Sequence, residues 1–273
     1  KEDNLYIHTV SDTYEKAADN KNAYSIYGDF SDIRGQEQLK RAAQIAVAGR
    51  HNMLIIGSPG AGKTMLAERL AGIMPVMTED ESMEVAAVKS ICGDAKGAGE
   101  DRYIRPFRAP HYSISPAGLI GGGGNPVPGE ITRAHNGILF LDELAEFKRS
   151  TVELLRAPME SGKVIHARKN RSVEYPCDFM LVAAMNPCPC GYYPDISRCR
   201  CTPNQVRSYL GRISHAFLDR IDIIIEAEKI DFDDNIYNDI DVQSSADILK
   251  MTEAAKNIQK KRYEGSSVTC NAR

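Results

Sequence analysis

Gly57-Ser58-Pro59-Gly60-Ala61-Gly62-Lys63-Thr64 decides how this chain is read. The stretch fits the pattern G-x-x-x-x-G-K-[ST] without a gap. An apolar strand candidate, Met53-Leu54-Ile55-Ile56, precedes it, and a helical run from Thr64 to Met74 follows. Strand, glycine loop and helix in that order let backbone N–H groups surround a phosphate at the positive end of a helix dipole. Lys63 is placed to reach the β- and γ-phosphates, and the Thr64 hydroxyl to hold Mg²⁺. A glycine turn that matched by accident would need neither flank, so the chain is expected to bind a nucleoside triphosphate.

Working outward, Ile138-Leu139-Phe140-Leu141-Asp142-Glu143 is an apolar strand ending in two acids, about 80 residues after the glycine loop. Carboxylates at the C-terminal end of a strand face the crevice where α/β sheets bind ligands. Asp142 is expected to hold Mg²⁺, directly or through water, and Glu143 to orient or deprotonate an attacking water. A lone apolar run ending in Asp-Glu is weak evidence; behind a phosphate loop it predicts hydrolysis of the nucleotide. Asn186 follows the strand Phe179–Ala184, where its amide can meet the γ-phosphate or the water. Arg220 lies in Phe217-Leu218-Asp219-Arg220-Ile221-Asp222. Such an arginine can reach a neighbouring subunit's site, an effect on the order of 10³–10⁵ in rate in GTPases. The plainer alternative is a salt bridge to Asp219 or Asp222.

The rest of the chain sets limits. At 273 residues it can form one large or two modest domains. A formal charge of −3 gives no global attraction to nucleic acid, so DNA contacts must come from local patches. No run of about 18 apolar residues occurs and the first residues are polar, so neither a membrane span nor a signal peptide is expected, and a cytoplasmic location is. The chain begins at Lys1 rather than Met and is expected to be part of a longer protein. Residues 1–28 read as a polar linker remnant. Helices are expected over Gln38–Ala48, Lys148–Ser161 and Ala246–Lys260, and a further strand over Ile221–Ile225. Between them Gly93–Gly129, with its tetraglycine and Pro126-Val127-Pro128-Gly129, reads as a loop-bearing insertion without a simple core element. Strands alternating with helices predict a parallel sheet covered on both faces.

Taken together, Asp29-Phe30-Ser31-Asp32-Ile33-Arg34-Gly35-Gln36, the two acid and glycine motifs, Asn186 and Leu218-Asp219-Arg220 resemble an AAA+ ATPase module. Arg105-Pro106-Phe107-Arg108-Ala109-Pro110-His111, Pro128-Gly129-Glu130-Ile131, Ala134-His135-Asn136-Gly137 and Asn186-Pro187-Cys188-Pro189-Cys190-Gly191 are more specific. They resemble the magnesium-chelatase-like ATPases of the ComM/YifB type, from about Asp29 onward. The resemblance implies a three-layer α/β/α core over residues 29–230 and ATP with Mg²⁺ as ligands. It implies a ring, expected to be a hexamer, with Arg220 acting in trans and Asn186 as sensor 1. It also implies an insertion over 93–136, a β-hairpin over 163–175 and a helical lid beginning in 231–273. ComM-type proteins are hexameric DNA helicases that promote branch migration during natural transformation, which implies branched or single-stranded DNA as substrate. A chelatase-type motor that remodels a protein partner for metal insertion is the alternative.

Two surfaces bear on that choice. Lys163, Arg168, Lys169 and Arg171 put four positive charges within nine residues. On a hairpin they can track a phosphate backbone, or simply form a solvated turn. Arg102, Arg105 and Arg108 form a second, weaker basic patch. His111 and His135 are candidate pore or interface residues, with hydrogen-bonded structural histidines as the alternative. Cys188, Cys190, Cys199 and Cys201 fall in a C-x-C-x₈-C-x-C arrangement. Four thiolates so close can hold a structural Zn²⁺, with reduced thiols or a disulfide as the alternatives. Cys92, Cys177 and Cys270 are isolated and expected to be inert.

Overall fold

A computed structural model describes residues 26–94, 100–123, 126–168, 171–228, 243–266, 268 and 270–272. Most of the 1–28 linker, the hairpin tip Lys169-Asn170 and positions 231–242 of the expected lid lie outside the described residues. The first half runs α1 (Glu37–Gly49), β1 (Met53–Gly57), α2 (Lys63–Ile73), α3 (Glu79–Ile91), β2 (Phe107–Arg108), α4 (Pro116–Ile120), β3 (Gly121–Gly122), β4 (Val127–Pro128) and α5 (Glu130–Arg133). The second half runs β5 (Ile138–Leu141), α6 (Arg149–Glu153), α7 (Arg156–Ser161), β6 (Lys163–Arg168), β7 (Arg171–Pro176), β8 (Met180–Met185), α8 (Pro203–Leu210), α9 (His215–Leu218), β9 (Ile223–Ala227) and α10 (Ser245–Arg262).

Five of these strands pair in the order β2-β5-β8-β1-β9, every neighbour parallel. Met53 sits opposite Val182 on one side and Ile223 on the other, and Ile138 opposite Met180. Period-two alternation splits the apolar strands between two cores. Met53, Ile55, Phe140, Met180 and Val182 pack under α1, α2 and α10. Leu54, Leu139, Leu141, Leu181 and Ala183 face the opposite layer, with Leu155, Tyr209 and Phe217. The result is helix, sheet, helix. β1 lies between β8 and β9, so the crevice at its C-terminal end is the switch point where such sheets bind ligands.

Local chemistry sets the helix ends. Thr78 and Glu81 form a reciprocal capping box at α3, and Thr202 and Gln205 another at α8, where Pro203 occupies the first turn. The expected helix Lys148–Ser161 is two short ones, because a continuous helix would need Pro158 to donate to Leu154, and proline has no N–H. The expectation for Gly93–Gly129 also changes: Phe107-Arg108 is the edge strand β2, paired with β5. Gly137 permits that approach, since a Cβ there would collide with the Pro106 carbonyl, which accepts from Ile138 N at 2.8 Å. The 163–175 hairpin is present as antiparallel β6 and β7. α10 docks on the core through Ile248, Leu249 and Thr252, whose hydroxyl donates to Ile73 O at 3.0 Å. Gln259 completes its buried face, donating to Ala48 O at 2.7 Å, while Ile258 is exposed. Among the described residues no helix is long and apolar enough to cross a membrane.

Candidate active site

Three strand ends converge on one cavity of about 610 Å³. From β1 the chain turns through residues 58–62 into α2, whose N-cap, Gly62, is left-handed (φ 76°) and offers no side chain to the helix end. The first-turn N–H groups of α2 are thus available to an anion. Pro59, Gly60, Ala61, Gly62, Lys63 and Thr64 line the cavity, while Gly57 and Ser58 lie outside its lining and hold Lys63 through their carbonyls. Lys63, 9% exposed, donates to Gly57 O at 2.7 Å, Ser58 O at 2.9 Å and Asn186 Oδ1 at 3.2 Å. Burial pulls its pKa below the usual lysine value, although Asp142 and Glu143 oppose that shift.

Asp142 follows β5, and its Oδ2 accepts from the Thr64 hydroxyl at 2.7 Å. Its Oδ1 accepts from the backbone N–H of Glu143 at 2.9 Å. Glu143 is left-handed (φ 52°), and its exposed side chain lies on the cavity wall. A hydroxyl and a carboxylate side by side form the oxygen donor set that Mg²⁺ takes beside a polyphosphate. Asn186 leaves β8 at the cavity's inner wall. Ile33, Arg34, Gln36 and Leu39 also line the cavity, with Gln36 donating to Ala61 O at 2.8 Å. Ile33, Arg34 and Gln36 carry no individual role in the sequence; their signal is the string Asp29–Gln36 ahead of the first helix.

Other expectations resolve differently. Arg220 is absent from this cavity's lining, and its guanidinium pairs with Glu160 rather than Asp219 or Asp222. The backbone carbonyl of Arg220 accepts from Asn52 Nδ2 at 3.0 Å, and Asp222 Oδ2 accepts from Asn52 N at 2.7 Å. The Arg102, Arg105, Arg108 patch does not form. Arg105 is 5% exposed and held by Glu81, Pro75 O and Asn136 O; Arg108 pairs with Glu130 at 2.7 Å and Arg102 with Glu79 at 3.0 Å. His135 is structural: its Nδ1 accepts from Asp178 N at 3.0 Å, leaving Nε2–H to face Glu84 at 3.1 Å. His111 is exposed and bonded to Ser113 at 2.8 Å. On the hairpin Lys163 pairs with Glu174 at 3.2 Å, and Arg168 stands in register with Arg171 beside the tip.

Cys188, Cys190, Cys199 and Cys201 come together, all four sulfurs within 4.8 Å of one another. Sulfurs of Cys188 and Cys190 lie 3.3 Å apart, Cys188 and Cys199 3.8 Å, and Cys190 and Cys199 3.6 Å. A Zn–S bond of about 2.3 Å in a tetrahedron puts sulfurs about 3.8 Å apart, so the donor set fits a tetrathiolate ion. The four cysteines are free thiols in this structure. Backbone N–H groups of Tyr192 and Arg200 draw the Cys190 thiol down to about 6.

Residues 29–235 match the family described as magnesium chelatase, subunit ChlI. The chain is 50% identical over 198 residues to YifB of Escherichia coli, spanning 72% of this chain and 39% of that one. With competence protein ComM of Haemophilus influenzae it shares 50% identity over 198 residues, 72% of this chain and 38% of that one. A protein of Mycobacterium bovis is 38% identical over 267 residues, 97% of this chain and 50% of its own length. The match therefore spans about two fifths of the length of YifB and ComM. With the phosphate loop, the paired acids and the asparagine assembled at the ends of β1, β5 and β8, and with the match covering most of its length, the chain belongs to the magnesium chelatase ChlI family.

Proposed function

We propose that this chain is the ATP-hydrolysing AAA+ module of a ring-forming motor of the ComM type that acts on branched or single-stranded DNA. The observation that carries the hydrolysis is the convergence of Lys63, Thr64, Asp142 and Asn186 from three strand ends on one cavity. Lys63 neutralises the β- and γ-phosphates. Thr64 and Asp142 hold Mg²⁺, which when bound supplies charge stabilisation on the transferring phosphoryl group. Glu143 orients and takes a proton from the attacking water, and Asn186 senses the γ-phosphate beside Lys63. Arg220 points at Glu160 instead of its own chain's cavity, which suits a role in a neighbouring subunit of a ring, a hexamer on the resemblance. The choice of ATP over GTP also rests on the resemblance.

Support for DNA comes from the likeness to a competence protein and from the basic hairpin bearing Lys163, Arg168, Lys169 and Arg171. The test is ATP hydrolysis by the full-length protein with and without forked DNA, Lys63→Ala serving as blank. Stimulation by DNA that fades with added salt is expected, because phosphate contacts release counterions. The family match to a chelatase subunit favours a second reading, a motor that remodels a protein partner for metal insertion. Turnover that is robust and indifferent to DNA would select it.

A further inference from the structure

The cysteine loop is fastened to the nucleotide cavity. Between residues 187 and 202 there is neither helix nor strand, and only Cys188 and Gly191 are buried. Ile196 in the same loop is 94% exposed. A segment with so little apolar burial has no core of its own; besides local contacts such as Arg198 over the Tyr192 ring, the four thiols give it a cross-linking chemistry. It nevertheless makes close contacts with the site. Gly191 N donates to Cys188 O at 3.0 Å, turning the backbone against the phosphate loop. A Cβ on Gly191 would lie 2.5 Å from Pro59 Cδ and 3.8 Å from Asn186 Cγ. Asn186 itself precedes Cys188 by two residues and accepts from Lys63 through its side chain. At the loop's far end α8 starts beside Cys201, with Thr202 as its N-cap and Tyr209 buried in the core.

We propose that Cys188, Cys190, Cys199 and Cys201 hold a zinc-class ion that positions Asn186 against Lys63, so that the metal governs the rate of nucleotide hydrolysis more than nucleotide affinity. Soft thiolate donors in a closed tetrahedral set select such an ion, and four protein ligands leave no open position for chemistry at the metal. The action is therefore mechanical. Phosphate binding by the 57–64 backbone does not require Asn186, whereas sensing of the γ-phosphate does. The inference rests on reading the cavity as an ATPase site.

The experiment uses the full-length protein, wild type and Asn186→Ala, as purified, after chelation under reducing conditions, and after Zn²⁺ is restored. Metal content is measured with amide hydrogen exchange over 57–64 and 185–191, ATP turnover, and affinity for a non-hydrolysable ATP analogue. One zinc per chain is expected. Chelation of the wild type should speed exchange in both segments and lower kcat by about tenfold, as losses at metal-supporting shells do. Analogue affinity should stay within about threefold, and Zn²⁺ should restore turnover. Asn186→Ala, already slow, should lose little more on chelation, since effects acting through one residue do not add. Metal-free protein as purified, kcat unmoved by chelation, or losses that multiply in Asn186→Ala would overturn the inference. Absence of hydrolysis by the metal-loaded wild type would sink the ATPase reading and the inference together, whereas metal-indifferent hydrolysis would sink the inference alone.

Discussion

The Thr64 hydroxyl donates to Asp142 Oδ2 at 2.7 Å, joining residues 78 positions apart at the start of α2 and the end of β5. The contact couples the phosphate loop to the acid pair and sets two oxygens where a magnesium ion meets a triphosphate. Asp142→Asn keeps an acceptor for Thr64 but removes the charge that holds the cation. We expect ATP turnover to fall by about a hundredfold or more with the fold intact, and the residual rate to need more Mg²⁺. A magnesium titration of the variant's turnover checks this; an unchanged rate would place the metal elsewhere.

Lys63 gives a pH prediction. Burial lowers its pKa from the ordinary 10.5, against the pull of Asp142 and Glu143. The protonated form is the one that binds phosphate. Affinity should therefore be full at neutral pH and be lost as pH rises through the lowered value, before a free lysine would titrate. Analogue titrations between about pH 7 and about pH 10.5 should show this fall in wild type. Lys63→Arg should bind weakly but without it, since arginine stays charged throughout. A wild-type curve flat across the range would contradict the assignment.

What was legible in the sequence was what is local. Gly57–Thr64 and Ile138–Glu143 each carry strand, turn and functional group within a few residues, so their period and punctuation suffice. That the four cysteines come together was legible for the same reason, their closeness in sequence. Contacts over long separations were not. β2 is two residues long behind a proline, and it is a strand because Gly137 admits it to β5. Arg105 looks like its neighbours Arg102 and Arg108 in sequence, yet Glu81, on a helix 24 residues earlier, draws it inside. Gln36 reaches the phosphate loop only because α1 and α2 pack on the same face of the sheet.

Gly191 offers a test of the contact between the cysteine loop and the phosphate loop that leaves every thiol in place. Its φ is +84°, and a Cβ would fall 2.5 Å from Pro59 Cδ. Gly191→Ala should cost about 1–2 kcal/mol for the left-handed backbone, with a further penalty for the collision. Because Pro59 lies in the phosphate loop, turnover should fall as well. Pro59→Ala removes the struck carbon, so the double variant should recover part of both losses. Thermal unfolding and ATPase rates of the four proteins measure this cycle; strictly additive losses would mean the two residues do not communicate.

The ion pair that draws Arg105 inside predicts how the fold responds to acid. Burial pushes the Glu81 carboxyl up, but Arg105 and Lys256, with the N–H of Thr78, outweigh it and hold the group at about 2, down from 4.5. A carboxylate whose folded pKa is depressed contributes its stability above the unfolded value and loses it as pH falls toward the folded one. The window here runs from 4.5 down to about 2. At neutral pH the linkage is on the order of 3 kcal/mol. Glu81→Gln removes it and leaves Arg105, 5% exposed, without its charged partner, a situation that typically costs about 3–5 kcal/mol. Urea unfolding should therefore find the variant well below wild type at neutral pH. The gap should narrow steadily below pH 4.5, because acid performs on wild type the neutralisation that the substitution has already made. A gap of constant size down to about pH 2 would show that Glu81 contributes through packing, and that its charge does not hold Arg105 in the core.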